Sequence, residues 1–254
     1  MEKLILEICA NSLTSALTAQ LGGADRIELC ENLNAGGTTP GFGTLSLARK
    51  FMYIPIHVLI RPRPGDFLYN DSEFATMKMD INACKELELN GVVLGILNED
   101  GSIDKDRCRQ LVELARPMSV TFHRAFDMCN DPIQALEDII ELGFDRLLTS
   151  GQSTQVPDGA LLIHKLVAQA ADRIKIMPGS GINAENLHLI LRATLAKEVH
   201  MSAGEWYQSA MQFRHPHTRL ANDPKDDYQF YATSLEKVKL IRDLLDTFVQ
   251  NPDL

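Results

Sequence analysis

Along this chain, short apolar runs alternate with longer stretches in which apolar residues recur every three or four positions. The first pattern suits a buried strand and the second a helix packed on one face. Leu4–Cys9 predicts a strand, and Asn11 or Ser12 can cap a helix running to Leu21 before Gly22-Gly23. Arg26–Cys30 is a second strand, followed by a loop rich in Gly and Thr over 34–41 and a short helix over 45–50. Ile54–Ile60 is a third strand, ending in Arg61-Pro62-Arg63-Pro64-Gly65-Asp66. A long helix over Glu73–Leu89, a fourth strand over Gly91–Leu97 and a helix over Asp104–Ala115 follow.

The apolar lead-in Pro117-Met118-Ser119-Val120 opens a fifth strand, which runs into Thr121-Phe122-His123-Arg124-Ala125-Phe126-Asp127. Asp131 then caps a helix that starts at Pro132, with Ile133, Leu136, Ile139 and Ile140 at helical spacing. Strands over Arg146–Thr149, Ile174–Met177 and Glu198–Ser202 alternate with helices over Leu161–Ala171 and Ala184–Ala193. A polar segment, 212–228, reads as a long surface loop leading to an amphipathic C-terminal helix, Leu235–Val249.

Eight strands, each followed by a helix at a spacing of roughly 30 residues, predict an α/β fold: a single-domain (β/α)8 TIM barrel over 1–254. The rival is a doubly wound open sheet. That arrangement often opens on a Gly-rich fingerprint after its first strand, and none is present here.

Composition narrows the class. The 254 residues carry a net charge of −9, which argues against nucleic acid or an anionic membrane as partner. No apolar run reaches membrane-span length, and the N-terminus goes straight into a strand pattern without a signal peptide's apolar region. Five widely spaced cysteines with no C-x-x-C fit reduced thiols, hence a cytoplasmic location.

Barrel chemistry sits at the C-terminal ends of the strands, and there this sequence is polar. Period-two alternation puts Glu7 with Cys9, Glu28 with Cys30, His57 with Arg61, and Glu198 with His200 and Ser202 on one face each. Glu7, Glu28, Arg61, His123 and His200 are thus expected to surround one pocket. Glu7, Glu28, His123 and His200 are its acid–base candidates. Arg61, Arg63 and Arg124 are candidates for holding an anion. One residue of bulge exchanges His123 for Arg124, so either can face the mouth. The competing reading is a structural ring of ion pairs that plugs the barrel, or, for the fifth strand, a salt bridge closing on Asp127.

The turn Pro178-Gly179-Ser180-Gly181-Ile182 after strand seven and Ser202 after strand eight lie in a barrel's usual phosphate corner. Gly179, Ser180, Gly181 and Ser202 are therefore further anion-binding candidates, against the simpler reading that the glycines allow tight turns. Cys9 and Cys30 end adjacent strands. Two thiolates suit Cu(I), a soft ion, whereas two buried thiols also serve as small apolar residues. Lys175 lies early in its strand, away from the mouth, and His215-Pro216-His217 reads as solvated loop.

These motifs resemble the CutC copper-homeostasis family. The likeness rests on Gly22–Cys30, the Gly36-Gly37 loop with Pro40, Ile60–Arg63 with Gly65–Phe67, Gly91–Gly95, Thr121–Asp127, Leu148–Gly151 and the Pro178–Ile182 turn. It covers essentially the whole chain. It implies a cytosolic barrel linked to copper and assembled as a homo-oligomer, with a dimer favoured, and it puts a ligand role on Cys9 and Cys30. The loop around Thr38 and Thr39 departs from the family's Gly-Gly-Leu-Thr-Pro form, with Thr38 in place of the Leu. Two functions follow as expectations: binding of Cu(I), or acid–base catalysis on a small anionic metabolite. A barrel serving only as a scaffold is the third.

Overall fold

The computed structural model describes residues 3–218, 220 and 226–250. Eight short parallel strands form its centre: β1 (Ile5–Ala10), β2 (Arg26–Leu29), β3 (Ile56–Leu59), β4 (Gly91–Leu94), β5 (Ser119–Phe122), β6 (Arg146–Thr149), β7 (Lys175–Pro178) and β8 (Glu198–Met201). They pair in chain order from β1 to β7, and β8 returns to pair with β1. A parallel bridge between Gly179 and His200 joins the two ends, so the sheet curls into a nearly closed barrel. The expected (β/α)8 architecture is therefore the observed one.

Helices α1 (Leu13–Leu21), α2 (Phe42–Phe51), α3 (Asp71–Glu86), α4 (Lys105–Ala115), α5 (Pro132–Glu141), α6 (Val156–Ala170) and α7 (Leu187–Thr194) fill the connections between strands. Their starts follow local chemistry. The Ser12 side chain caps α1, Asn70 and Glu73 form a reciprocal capping box on α3, and Asp131 accepts from Ile133 and Gln134 at the start of α5. Strand residues facing outward, such as Ile8, Leu29, Val92 and Phe122, join helix residues such as Met77, Leu111 and Leu136 in one continuous apolar shell.

The segment after β8 departs from expectation. A two-stranded antiparallel ribbon, β9 (Gly204–Gln208) and β10 (Gln229–Thr233), projects from the barrel before the last helix, α8 (Leu235–Gln250). Tyr207 and Phe230 stack across it, and Tyr231 meets Trp206 edge-on. These cross-strand aromatic pairs give the ribbon its register. Of the loop expected over 212–228, residues 219 and 221–225 lie outside the described part.

Candidate functional site

The barrel interior is built in layers. The lowest is ionic. Arg26 on β2 donates its Nε–H to Glu7 on β1 and an Nη2–H to Glu198 on β8 at 2.6 Å. Arg146 on β6 donates to the same Glu198 oxygen at 2.6 Å. All four side chains are largely shielded from water. The plug anticipated as a competing reading is thus present, and Arg26, which shares parity with Glu28, is a member that the sequence reading passed over. Glu7 belongs to this layer rather than to the pocket wall: it is fully buried.

His200 links this layer to the next. Its Nδ1 bonds Glu7 Oε1 at 2.7 Å, and its Nε2 lies 3.7 Å from Glu28 Oε2. Burial works against charge on His200, but Glu28 and Glu7 outweigh it and raise its pKa. Burial likewise opposes charge on Glu7, yet Arg26 and His200 hold that carboxyl well below its ordinary range. Glu28 goes the other way: burial, reinforced by the Glu7 charge, raises it against the pull of His200. Two carboxyls in one barrel are thus pushed apart, and Glu28 beside His200 is an arrangement suited to giving and taking a proton.

Cys9 and Cys30 come together as the sequence suggested, with their Sγ atoms 3.5 Å apart and both thiols free. Cys30 is fully buried against Leu59 and Val93. Gly37 lies above it with a positive φ of 85°, and a Cβ there would strike Leu59 at 2.6 Å, so the loop closes on the thiol only as glycine. The Cys9 thiol is raised well above its ordinary pKa by its hydrogen bond to Cys30 and by burial. Donor atoms of Cys9, Glu28 and His200 all lie within 4.8 Å of one another. The sequence reading paired the thiols but did not add this carboxyl and imidazole to them.

Above these groups a cavity of about 410 Å³ opens at the C-terminal end of the barrel. Cys9, Glu28, Arg61, His123, Arg124, Ser180, Gly181, His200 and Ser202 line it. His123 and Arg124 divide the roles left open between them. His123 is buried, its Nδ1 accepting the Ala125 N–H at 3.3 Å. Arg124 stays on the rim, donating to Asp127 at 2.8 Å and to Ser150 at 2.9 Å. The salt bridge to Asp127 therefore involves Arg124 alone. Gly95 makes the inward position of His123 possible, since a Cβ there would meet the ring at 2.8 Å.

Arg61 is held by backbone oxygens: Nη1 donates to Ala35 at 3.1 Å and Gly37 at 2.6 Å, and Nη2 to Gly65 at 2.7 Å. Arg63 turns away from the cavity and pairs with Glu73 and Asp66 on the outer surface. Gly179 makes room for Leu148 and the His200 ring, which a Cβ would meet at 2.5 and 3.1 Å. The Ser180 hydroxyl donates to the Thr154 carbonyl, and the Ser202 hydroxyl bonds the Tyr231 hydroxyl at 2.9 Å. Tyr231 reaches the cavity from the ribbon, whose strands flank the expected loop and were assigned to no element from the sequence. His215 and His217 remain exposed, and Lys175 pairs with Asp172 away from the mouth.

The family model described as the CutC family matches residues 4–205. The chain belongs to the CutC family. A CutC family protein from Chromobacterium violaceum is 48% identical over 242 residues, covering 95% of this chain and 98% of the relative. The Homo sapiens protein named copper homeostasis protein cutC homolog is 46% identical over 238 residues, covering 93% of this chain and 87% of that one. A CutC crystal structure from Streptococcus agalactiae superposes with a TM-score of 0.75 at 36% identity, covering 78% of this chain and 98% of that one. In this CutC chain no helix among the described residues is long and apolar enough to cross a membrane.

Proposed function

We propose that this CutC chain binds Cu(I) in the barrel, with Cys9 and Cys30 as thiolate ligands and His200 as a nitrogen ligand. The observation that carries the reading is the meeting of two thiols 3.5 Å apart with Glu28 and His200 beside Cys9. Two sulfur donors and an imidazole suit a soft monovalent ion, whereas a hard cation would want more oxygens than the one carboxyl, Glu28, in this cluster. Glu7 supports the assignment from below. By holding His200 at Nδ1 it fixes the ring and leaves Nε2 toward Cys9 and Glu28, the usual relation of a carboxylate to a ligating histidine. Glu28 is placed to offset charge or take up a proton as the thiols ionise.

The copper homeostasis name of the human relative agrees with this reading. A cytoplasmic site, where thiols stay reduced, belongs to the same proposal. So does assembly into a homo-oligomer, with a dimer favoured. Exposed Trp206 and Phe230 on the ribbon, with Met211 and Phe213 between its strands, support that part.

The test is a Cu(I) titration in competition with a chromophoric chelator. One tightly held equivalent in the native chain, lost in the Cys9→Ser/Cys30→Ser double variant, is expected. Equal copper retention by both proteins would reject these ligands.

A further inference from the structure

We propose that the mouth cavity also binds a small organic oxyanion, a carboxylate or a phosphate ester, anchored by Arg61 and His123. Arg61 is only 5% exposed and His123 4%, and both line the cavity. Among the described residues no carboxylate contacts the Arg61 guanidinium, whose hydrogen bonds run to the carbonyls of Ala35, Gly37 and Gly65. Its Nε–H has no acceptor within hydrogen-bond geometry among the described residues. A buried cation with no carboxylate in contact is costly, and an anion from outside would supply that contact.

His123 carries the same signature independently. Because Nδ1 accepts from Ala125, the ring proton of the neutral imidazole sits on Nε2, and that nitrogen also has no partner among the described residues. Burial, with the Arg61 charge adding to it, pushes His123 down to about 3, so the ring is a neutral donor at ordinary pH. Two donors and a positive charge lacking an acceptor are the complement of an oxyanion.

Phe67 closes this anchor. Its ring centroid lies 4.8 Å from that of His123 and 5.1 Å from the Arg61 guanidinium carbon. Both nitrogens are shielded from water, so a ligand reaching them shifts the side chains around them. The buried Tyr69 hydroxyl lies beside the Arg61 guanidinium. A bond between the two would satisfy Nε but leave the charge and His123 unanswered. Glu28 and His200 line the same cavity, so an anchored ligand presents its other atoms to a carboxyl and an imidazole. The anchor uses neither thiol, and its test is independent of copper.

The test uses the full chain without metal, with inorganic phosphate and malonate as separate probes, followed by NMR at arginine Nε and the histidine rings. A saturable shift at Arg61 and His123, with an affinity of about 1 mM or tighter, is expected for at least one probe. Phosphate alone would assign a phosphoryl ligand and malonate alone a carboxylate. His123→Asn keeps an acceptor for the Ala125 N–H but removes the Nε2 donor. It should weaken binding about tenfold to a hundredfold while the protein still melts cooperatively. No shift at either residue with both probes, or shifts confined to surface groups, overturns the proposal, and so does unchanged affinity in a folded His123→Asn. If that variant does not fold, the titration of the native chain decides.

Discussion

Glu7 and His200 form a buried pair, Oε1 to Nδ1 at 2.7 Å, across the neighbouring strands β1 and β8. Glu7 is also held by Arg26, so the imidazole is fixed by a carboxylate that is itself fixed. The ring has one nitrogen committed and the other facing Cys9 and Glu28.

Loss of that orienting bond should weaken copper binding without removing a ligand. Glu7→Gln is expected to lower Cu(I) affinity about 10–100-fold, the range typical of an outer partner of a ligating histidine. Competition titration of the variant beside the native chain measures it. An unchanged affinity would mean that His200 is not a ligand.

Stability should fall steeply on the acid side. Burial holds His57 and His123 down at about 3, against an ordinary value of 6.5. Each stays neutral in the fold but takes up a proton when unfolded. Their contribution is therefore complete above about pH 6.5 and is lost as pH falls toward 3. The slope approaches about 1.4 kcal/mol per pH unit for each histidine. Glu7, depressed in the fold, adds to the loss below its ordinary value of 4.5. His200 acts oppositely: its raised pKa favours the fold below pH 6.5, and that benefit fades as pH rises through the folded value. Urea unfolding between pH 7 and 4 reads the slope, and His123→Asn should flatten it.

Arg26 separates structure from site. Arg26→Met leaves Glu7 without its arginine and removes one of two arginines from Glu198. A loss of about 3–5 kcal/mol is expected from breaking such a buried pair. Chemical denaturation measures it. A near-neutral result would mean that the plug relaxes or hydrates.

The barrel itself was legible because its signals are periodic. Strand and helix patterns, the Asp131 cap and inward parity all depend on local spacing, and the strands stand where that spacing put them. The ribbon was not, because β9 and β10 pair across the polar stretch 209–228. Within the site, the choice between His123 and Arg124 was fixed by a partner strand: Gly95 on the β4 side leaves space for a ring. The spacing Gly91-x-x-x-Gly95 was readable, and Gly91 makes the same room for His57, but its meaning needs the β3–β4 and β4–β5 registers. The inward face shared by Arg26 and Glu28 was also readable, and following it would have found the plug. Arg63 could not be placed that way, since its strand has ended and its partners Asp66 and Glu73 are set by the loop.

The copper assignment is tested most directly by X-ray absorption at the copper edge of the chain loaded with one equivalent of Cu(I). A monovalent edge with two sulfur neighbours and one nitrogen neighbour is expected, with loss of the sulfur shell in Cys9→Ser/Cys30→Ser. A first shell of oxygen and nitrogen without sulfur, or an unchanged spectrum in that double variant, would contradict it.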